Sequence, residues 1–192
     1  IQAFWKSVSD QIQNNTFGFI VDGKQDPKKS MFERVKGDIS DSVKKATSVL
    51  ESGGIIAYPT DTIYGFGCDA RNEKAIERLN NIKGRSAPMS VLCPSFQNVS
   101  SWIDLPNHEK AIVENQIKPK TTLIVPVKSN VVSNLILGNG NTLGIRISNH
   151  PFCISVAHNY PSPITTTSVN RSGHEPLSDP YKIELEFSNE IE

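Results

Sequence analysis

The chain has 192 residues, which suits one domain, or one domain with an appendage, able to bury roughly two thirds of its unfolded surface. Lys plus Arg and Asp plus Glu number 20 each, a formal net charge of zero. That argues against a surface built throughout for nucleic acid, which carries a basic excess, though a local basic groove is compatible with it. No run of 18 apolar residues occurs, so no transmembrane helix is expected, and the first residues show no secretory pattern.

In chain order, residues 1–37 contain scattered apolar side chains (Phe4, Trp5, Ile12, Phe17, Phe19, Ile20, Val21) and a polar, turn-like stretch over Asp22–Ser30. They carry no legible chemistry and are read as an N-terminal extension of unknown role ahead of one domain over 38–192. The chain begins with Ile1 rather than Met, so a preceding segment is expected. Ser40 is placed as the N-cap of a helix whose stripe is Ile39, Val43, Ala46, Val49 and Leu50, and Gly53-Gly54 stop it. Ile55–Tyr58 reads as a central strand buried on both faces. Pro59, a hydroxyl-rich turn (Thr60, Asp61, Thr62), Tyr64, Gly65 and Gly67 follow as a loop. Asn72 caps a second helix with Ala75, Ile76, Leu79 and Ile82 inward, ending at Lys83-Gly84-Arg85.

Met89–Cys93 is a second buried strand. Ser95 caps a short helix carrying Phe96, Val99 and Trp102, and Pro106 starts another with Ala111, Ile112 and Ile117 inward. Thr121–Val127, rich in β-branched residues, reads as a strand, Asn139-Gly140 as a hairpin signal, and Leu143–Ile147 as the returning strand. Pro151–Tyr160 suits a helix and Pro163–Thr167 a strand. The tail of Ile183, Leu185 and Phe187 fits either state.

Open α/β sheets bind ligands where strands give out into loops. Hydroxyls at a strand end, with two cations one helix later, suggest an anion pocket. The plainer alternatives stand beside it: Lys83 and Arg85 complement a helix dipole, and Arg146, alternating with Ile145 and Ile147, points to solvent. Asp61 reads as an N-cap or turn former ahead of any catalytic role. There is no GxxxxGK[ST] loop, no third glycine after Gly65-Phe66-Gly67 and no GxSxG elbow. His108, His150, His158 and His174 show no metal spacing. Cys68, Cys93 and Cys153 lie in apolar surroundings without CxxC spacing, as buried thiols of a reducing compartment do.

Five blocks carry a resemblance: PTDTIYGFGCDA, IKGR, MSVLC, TLGIRI with Pro151 following, and ITTTSVNRSG, in that order over about residues 38–178. Together they resemble the YrdC-like threonylcarbamoyl-AMP synthases of tRNA threonylcarbamoyladenosine synthesis. The resemblance implies a single α/β domain with a twisted sheet of mixed parallel and antiparallel strands, surrounding helices and a concave basic groove. It implies that L-threonine, bicarbonate or CO2, and ATP with Mg2+ become L-threonylcarbamoyl-AMP and pyrophosphate, without a covalent intermediate. Lys83 and Arg85 would hold ATP phosphates and act electrostatically, while Thr142, Ser168 and Asn170 would contact the nucleotide. Thr62, Tyr64, Arg146 and Thr166 would form the threonine site. Mg2+ would ride on the phosphates, with no protein side-chain ligands expected. The resemblance further implies a cytoplasmic protein with no membrane partner, hand-over to a tRNA threonylcarbamoyltransferase, and weak or transient RNA contact.

The chain departs from the family pattern in three places. Ala87 stands where a Lys or Asn precedes the proline, after a shortened linker. Lys118-Pro119-Lys120 replaces Pro-Gly-Pro. The Pro-Ser-Thr block and further Arg expected beyond Glu192 are missing, so a truncated C-terminal end is expected. Two alternatives use the same blocks: an RNA-binding module without catalysis, and a carbamoyl-adenylate chemistry of larger carbamoyltransferases. Few exposed-looking aromatics disfavour the first, because single-strand binders stack bases on aromatic platforms.

Overall fold

The structure, a computed structural model, describes residues 20–21, 39–93 and 95–187. The expectations on Phe4–Phe19 and on Asp22–Ser30 lie outside the described residues. Helix α1, Ile39–Glu51, buries Val43, Ala46, Val49 and Leu50 along one stripe. It already includes Ile39, so Ser40 sits in its first turn and not at the cap. Gly53, at φ 79°, ends it as expected. Helix α2, Glu73–Lys83, is capped by Asn72, whose side chain accepts from the Ala75 N–H, and closed by Gly84 at φ 67°. Its inner stripe is Ala75, Ile76, Leu79 and Ile82.

One seven-stranded sheet runs in the order β1-β2-β3-β7-β4-β6-β5. The strands are β1 Ile20–Val21, β2 Ile56–Tyr58, β3 Gly65–Gly67, β4 Ser90–Cys93, β5 Thr122–Pro126, β6 Thr142–Ile147 and β7 Ile164–Ser168. β4 and β6 pair in parallel and every other neighbour is antiparallel, so the sheet is mixed. β2 lies one strand from an edge instead of at the centre, with β1 beyond it. It is nevertheless covered on both faces, because Ile56 and Tyr58 join one core cluster and Ala57 the other.

Gly65–Gly67 is a strand where a loop was expected. The reason is tertiary: a Cβ on Gly67 would lie 2.7 Å from Tyr58 Cε1 and 2.9 Å from the Thr165 carbonyl, so only glycine lets these strands approach. Asn139-Gly140 closes Gly138 onto Thr142 in a tight turn at the entrance to β6, rather than linking two long strands. Helix α3 is Phe96–Val99, and Ser95 before it makes no capping bond to the backbone. Helix α4, Asn107–Gln116, buries no residue; Ala111 and Ile112 face outward, and Val113 and Ile117 provide its contact with the core. Ile117 packs inward as expected, while Val113 takes the place expected of Ala111 and Ile112, because so short an apolar run is compatible with two phases. Helix α5 is Pro151–Asn159 and α6 is Pro180–Phe187. In α6, Ile183 and Phe187 are buried one helical turn apart, with Phe187 edge-on to Phe66 at 5.1 Å.

Ladder partners project from the same face of a sheet. Leu92 pairs with Arg146 and Ile164, Arg146 with Thr122, and Ser90 with Gly144 and Thr166. All of these therefore share one face. Leu92 and Ile164 lie under α1 and α5, in a cluster with Tyr58, Phe152 and Val156. Thr122 and, two residues on, Ile124 (74% exposed) are uncovered. Among the described residues the helices thus cap the β2–β4 part of this face, and the β6–β5 part stays open. On the opposite face Val125, Leu143 and Ile145 join the larger cluster.

Candidate active site

A cavity of about 120 Å³ opens at the boundary between the covered and open halves. Its lining includes Thr62, Tyr64, Ser90, Thr122, Arg146, Thr166 and Ser168. The loop after β2 forms one wall. The Thr60 hydroxyl donates to the Ile63 carbonyl at 2.6 Å and accepts from the Thr62 N–H at 3.1 Å, which locks the loop. Because the Thr60 proton goes to Ile63, the contact between the Thr60 and Thr62 hydroxyls at 3.1 Å uses the Thr62 proton. Thr62 Oγ1 is then left as an acceptor, and Arg146 Nη2 donates to it at 2.9 Å.

The same Nη2 meets Asp61 Oδ1 at 3.1 Å, and the Asp61 side chain is 3% exposed. Asp61 Oδ1 also accepts from Ser148 Oγ at 3.0 Å, and Oδ2 accepts from the Lys120 N–H at 2.9 Å. Asp61 is therefore far more than a turn former: it is a buried counter-ion for Arg146. The solvent-facing alternative for Arg146 does not hold, since its side chain is 16% exposed. Sequence reasoning missed Asp61, Ser148, Ser90 and Thr122 as parts of the site. The only available signal was the alternation that puts Ser90 and Thr122 on the face of Arg146.

Lys83 is 2% exposed, which removes the solvated-cation alternative for it. Its Nζ donates to the Ser168 carbonyl at 2.6 Å, the Asn170 carbonyl at 2.9 Å and Asn170 Oδ1 at 3.1 Å. An ammonium has three donors, so all are used on the turn after β7. Burial, and secondarily the Arg85 charge, push its pKa down to about 8. Asn170 Oδ1 also accepts from the Ser168 hydroxyl, while its Nδ2 donates to the His174 carbonyl at 2.7 Å. Arg85, past the left-handed Gly84, is exposed. Thr142 is outside the cavity, with its hydroxyl donating to the Asn139 carbonyl at 3.0 Å. It shares the face of Arg146 roughly 13 Å along β6, at strand spacing. The hydroxyl of buried Tyr58 donates to the Thr165 carbonyl at 3.3 Å, and burial raises its pKa.

His150 caps α5, its Nδ1 accepting from the Phe152 N–H at 3.2 Å, and burial lowers its pKa to about 4. The three cysteines are buried and free. Burial pushes the thiols of Cys68 and Cys153 up to about 12 and that of Cys93 higher still. No group of three or more His, Cys, Asp or Glu side chains able to hold a metal occurs among the described residues. No described helix is long and apolar enough to cross a membrane.

A mixed α/β sheet carries a small cavity of hydroxyls around one arginine, at the edge of an uncovered half-face, a lining whose chemistry suits small carboxylated or phosphorylated molecules. The chain belongs to the Sua5/YciO/YrdC family, whose profile, described as "Telomere recombination", matches residues 48–192. It is 31% identical over 143 residues to the threonylcarbamoyl-AMP synthase of Hydrogenovibrio crunogenus, covering 71% of this chain and 76% of that protein. It is 29% identical over 156 residues to the threonylcarbamoyl-AMP synthase of Photobacterium profundum, covering 79% and 84%. Its fold is similar to the crystal structure of P. abyssi Sua5 complexed with L-threonine, with a TM-score of 0.71, 26% identity, and coverage of 83% of this chain and 47% of that one.

Proposed function

We propose that this chain synthesises L-threonylcarbamoyl-AMP from L-threonine, bicarbonate or CO2, and ATP, releasing pyrophosphate, for the modification of tRNA. The observation that carries this reading is the cavity: at about 120 Å³ it is well under the ~300 Å³ and more of drug-sized sites, and its charged wall is a single oriented arginine. Arg146 Nη1 and Nε have no partner among the described residues and suit a carboxylate, which a guanidinium holds through two parallel bonds. Thr62 Oγ1, left as an acceptor, suits the substrate amine or hydroxyl, with Thr166 and Tyr64 closing the pocket.

The amine attacks CO2, or bicarbonate with loss of water, to give a carbamate. A carbamate oxygen then displaces pyrophosphate from the α-phosphorus. Neither step needs a protein nucleophile, so positioning and electrostatics carry the rate. In this reading Ser168, Asn170 and Thr142 contact the nucleotide along the open half of the face, which we take as the basic groove, and Arg85 reaches the phosphates. Lys83 acts on the same region by holding the Ser168–Asn170 turn, and meets a phosphate only by exchanging one of its acceptors. Mg2+ enters as part of the MgATP substrate, carried by phosphates and water; the Asp61 carboxylate beside the cavity is already engaged by Arg146, Ser148 and Lys120. We place the reaction in the cytoplasm, which three buried free thiols support, with hand-over of the adenylate to a tRNA threonylcarbamoyltransferase and transient RNA contact there. Residues 38–192 form the working domain in this reading.

The test is pyrophosphate release from MgATP with and without L-threonine and bicarbonate, comparing wild type with Arg146→Ala. Release that needs both co-substrates and is lost in the variant supports the synthase. Release without threonine dependence points to another adenylate chemistry. No release, with RNA bound at moderate salt, supports the RNA-binding module instead.

A further inference from the structure

We propose that Asp61, anchored by the backbone N–H of Lys120, is a positioning residue that sets how Arg146 meets the substrate carboxylate, so that the Lys118–Lys120 turn tunes amino-acid affinity. The proposal rests on the reading of Arg146 given above.

Arg146 is held through one nitrogen only. The two hydrogens of Nη2 go to Asp61 Oδ1 at 3.1 Å and Thr62 Oγ1 at 2.9 Å. These two bonds define the guanidinium plane, while Nη1 and Nε lack a partner among the described residues. The aim of the free edge therefore depends on how Asp61 is turned. Asp61 Oδ1 is shared between Arg146 and Ser148, and Oδ2 accepts from the Lys120 N–H at 2.9 Å. A carboxylate held at both oxygens cannot rotate about its Cβ–Cγ bond; one released at Oδ2 can.

The anchor is a backbone N–H held in an uncommon conformation. Lys120 has φ 66°, a left-handed conformation that costs a non-glycine residue energy and persists where its surroundings hold it. The proline expected there by resemblance has no N–H and a φ fixed near −65°, so it could neither donate to Asp61 nor adopt this backbone. Two residues on, Thr122 lines the cavity and pairs with Arg146 in the ladder. The turn thus reaches the guanidinium by two routes, through Asp61 and through β5.

The experiment measures L-threonine affinity by calorimetry and KM for threonine and ATP, on wild type, Asp61→Asn, Lys120→Pro and Lys120→Gly, with thermal melts to establish folding. Asp61→Asn keeps size but cannot accept at both oxygens, and is expected to weaken threonine about 10- to 100-fold, the scale of one to two charge-assisted bonds. Lys120→Pro is expected to act in the same direction. Lys120→Gly keeps the N–H and takes a positive φ freely, so it should stay within about threefold of wild type. KM for ATP should move far less than KM for threonine; a merely structural role would shift both and lower the melting temperature alike. Threonine binding by Asp61→Asn as tight as wild type, or tighter, would overturn the proposal, for Asp61 would then only compete with the substrate for Arg146. If Lys120→Pro does not fold, Asp61→Asn decides alone. Failure of the underlying reading shows separately, as undiminished threonine binding by Arg146→Ala, and the proposal falls with it.

Discussion

Replacing Lys83 by Met keeps the length of the side chain and removes its three donors. The Ser168 and Asn170 carbonyls lose the ammonium, while Asn170 Oδ1 keeps the Ser168 hydroxyl. Two hydrogen bonds to a charged group are worth about 1.5–3 kcal/mol each. Against that, the variant no longer buries a cation, and relief of that desolvation is of similar size to one such bond. The balance is a loss of about 2 kcal/mol, a sizeable part of the ~5–15 kcal/mol of an ordinary domain. Urea unfolding measures it, and KM for ATP reports the loosened turn. A Lys83→Met protein as stable as wild type, with an unchanged KM for ATP, would refute the assignment. The proton on Lys83 adds a second signature. Its pKa is lowered from 10.5 to about 8, so above that pH the folded amine is neutral and has two N–H groups for three acceptors. Activity should therefore fall as pH rises through about 8. Over the window from about 8 to 10.5 the unfolded chain binds a proton that the folded one does not, so this group's contribution to stability rises with pH. Loss of activity without loss of stability separates the effect from alkaline unfolding.

Gly67→Ala places a Cβ 2.9 Å from the Thr165 carbonyl, a backbone atom with little freedom, and should cost about 1–3 kcal/mol and several degrees of melting temperature. His150 is neutral in the folded chain down to about pH 4 but protonates near 6.5 when unfolded, so stability should fall as pH drops through that window. The full extent is about 3 kcal/mol, and His150→Asn, which retains a capping acceptor, should flatten that limb of an unfolding-versus-pH curve. The native protein should resist iodoacetamide at pH 8, and all three cysteines should react in urea, because their thiols are buried with raised pKa values. Rapid labelling of the folded protein would contradict that burial.

Most of the architecture was legible because it rests on local signals. The stripes of α1 and α2, the Asn72 cap, the Gly84 stop and the β-branched run of β5 each declare themselves within a few residues. What escaped depends on contacts distant in sequence. Asp61 meets partners 59, 85 and 87 residues away, and nothing near it in the chain announces them. Gly65–Gly67 has the composition of a loop and becomes a strand because Tyr58 and Thr165 leave no room for a side chain. Ala111 and Ile112 of α4 were misread as inward because so short an apolar run fits two phases and the core decides between them. Lys83 could be seen as a cation beside a helix end, but its burial beneath the 168–170 turn could not.

The half-covered sheet face has a mechanical consequence. Among the described residues β5 pairs with one strand of the sheet, β6, and both strands rest on the core through one face while the other looks onto the open half. They form a ledge supported from one side, and Arg146 and Thr122, which line the cavity, stand on it. Local opening concentrates where burial is one-sided, so the β5 amides should be among the first strand amides to exchange with solvent. A substrate bridging Arg146 and the loop after β2 would tie the ledge to the two-sided part of the sheet. Part of the binding free energy would then appear as slowed exchange along β5 rather than as new contacts.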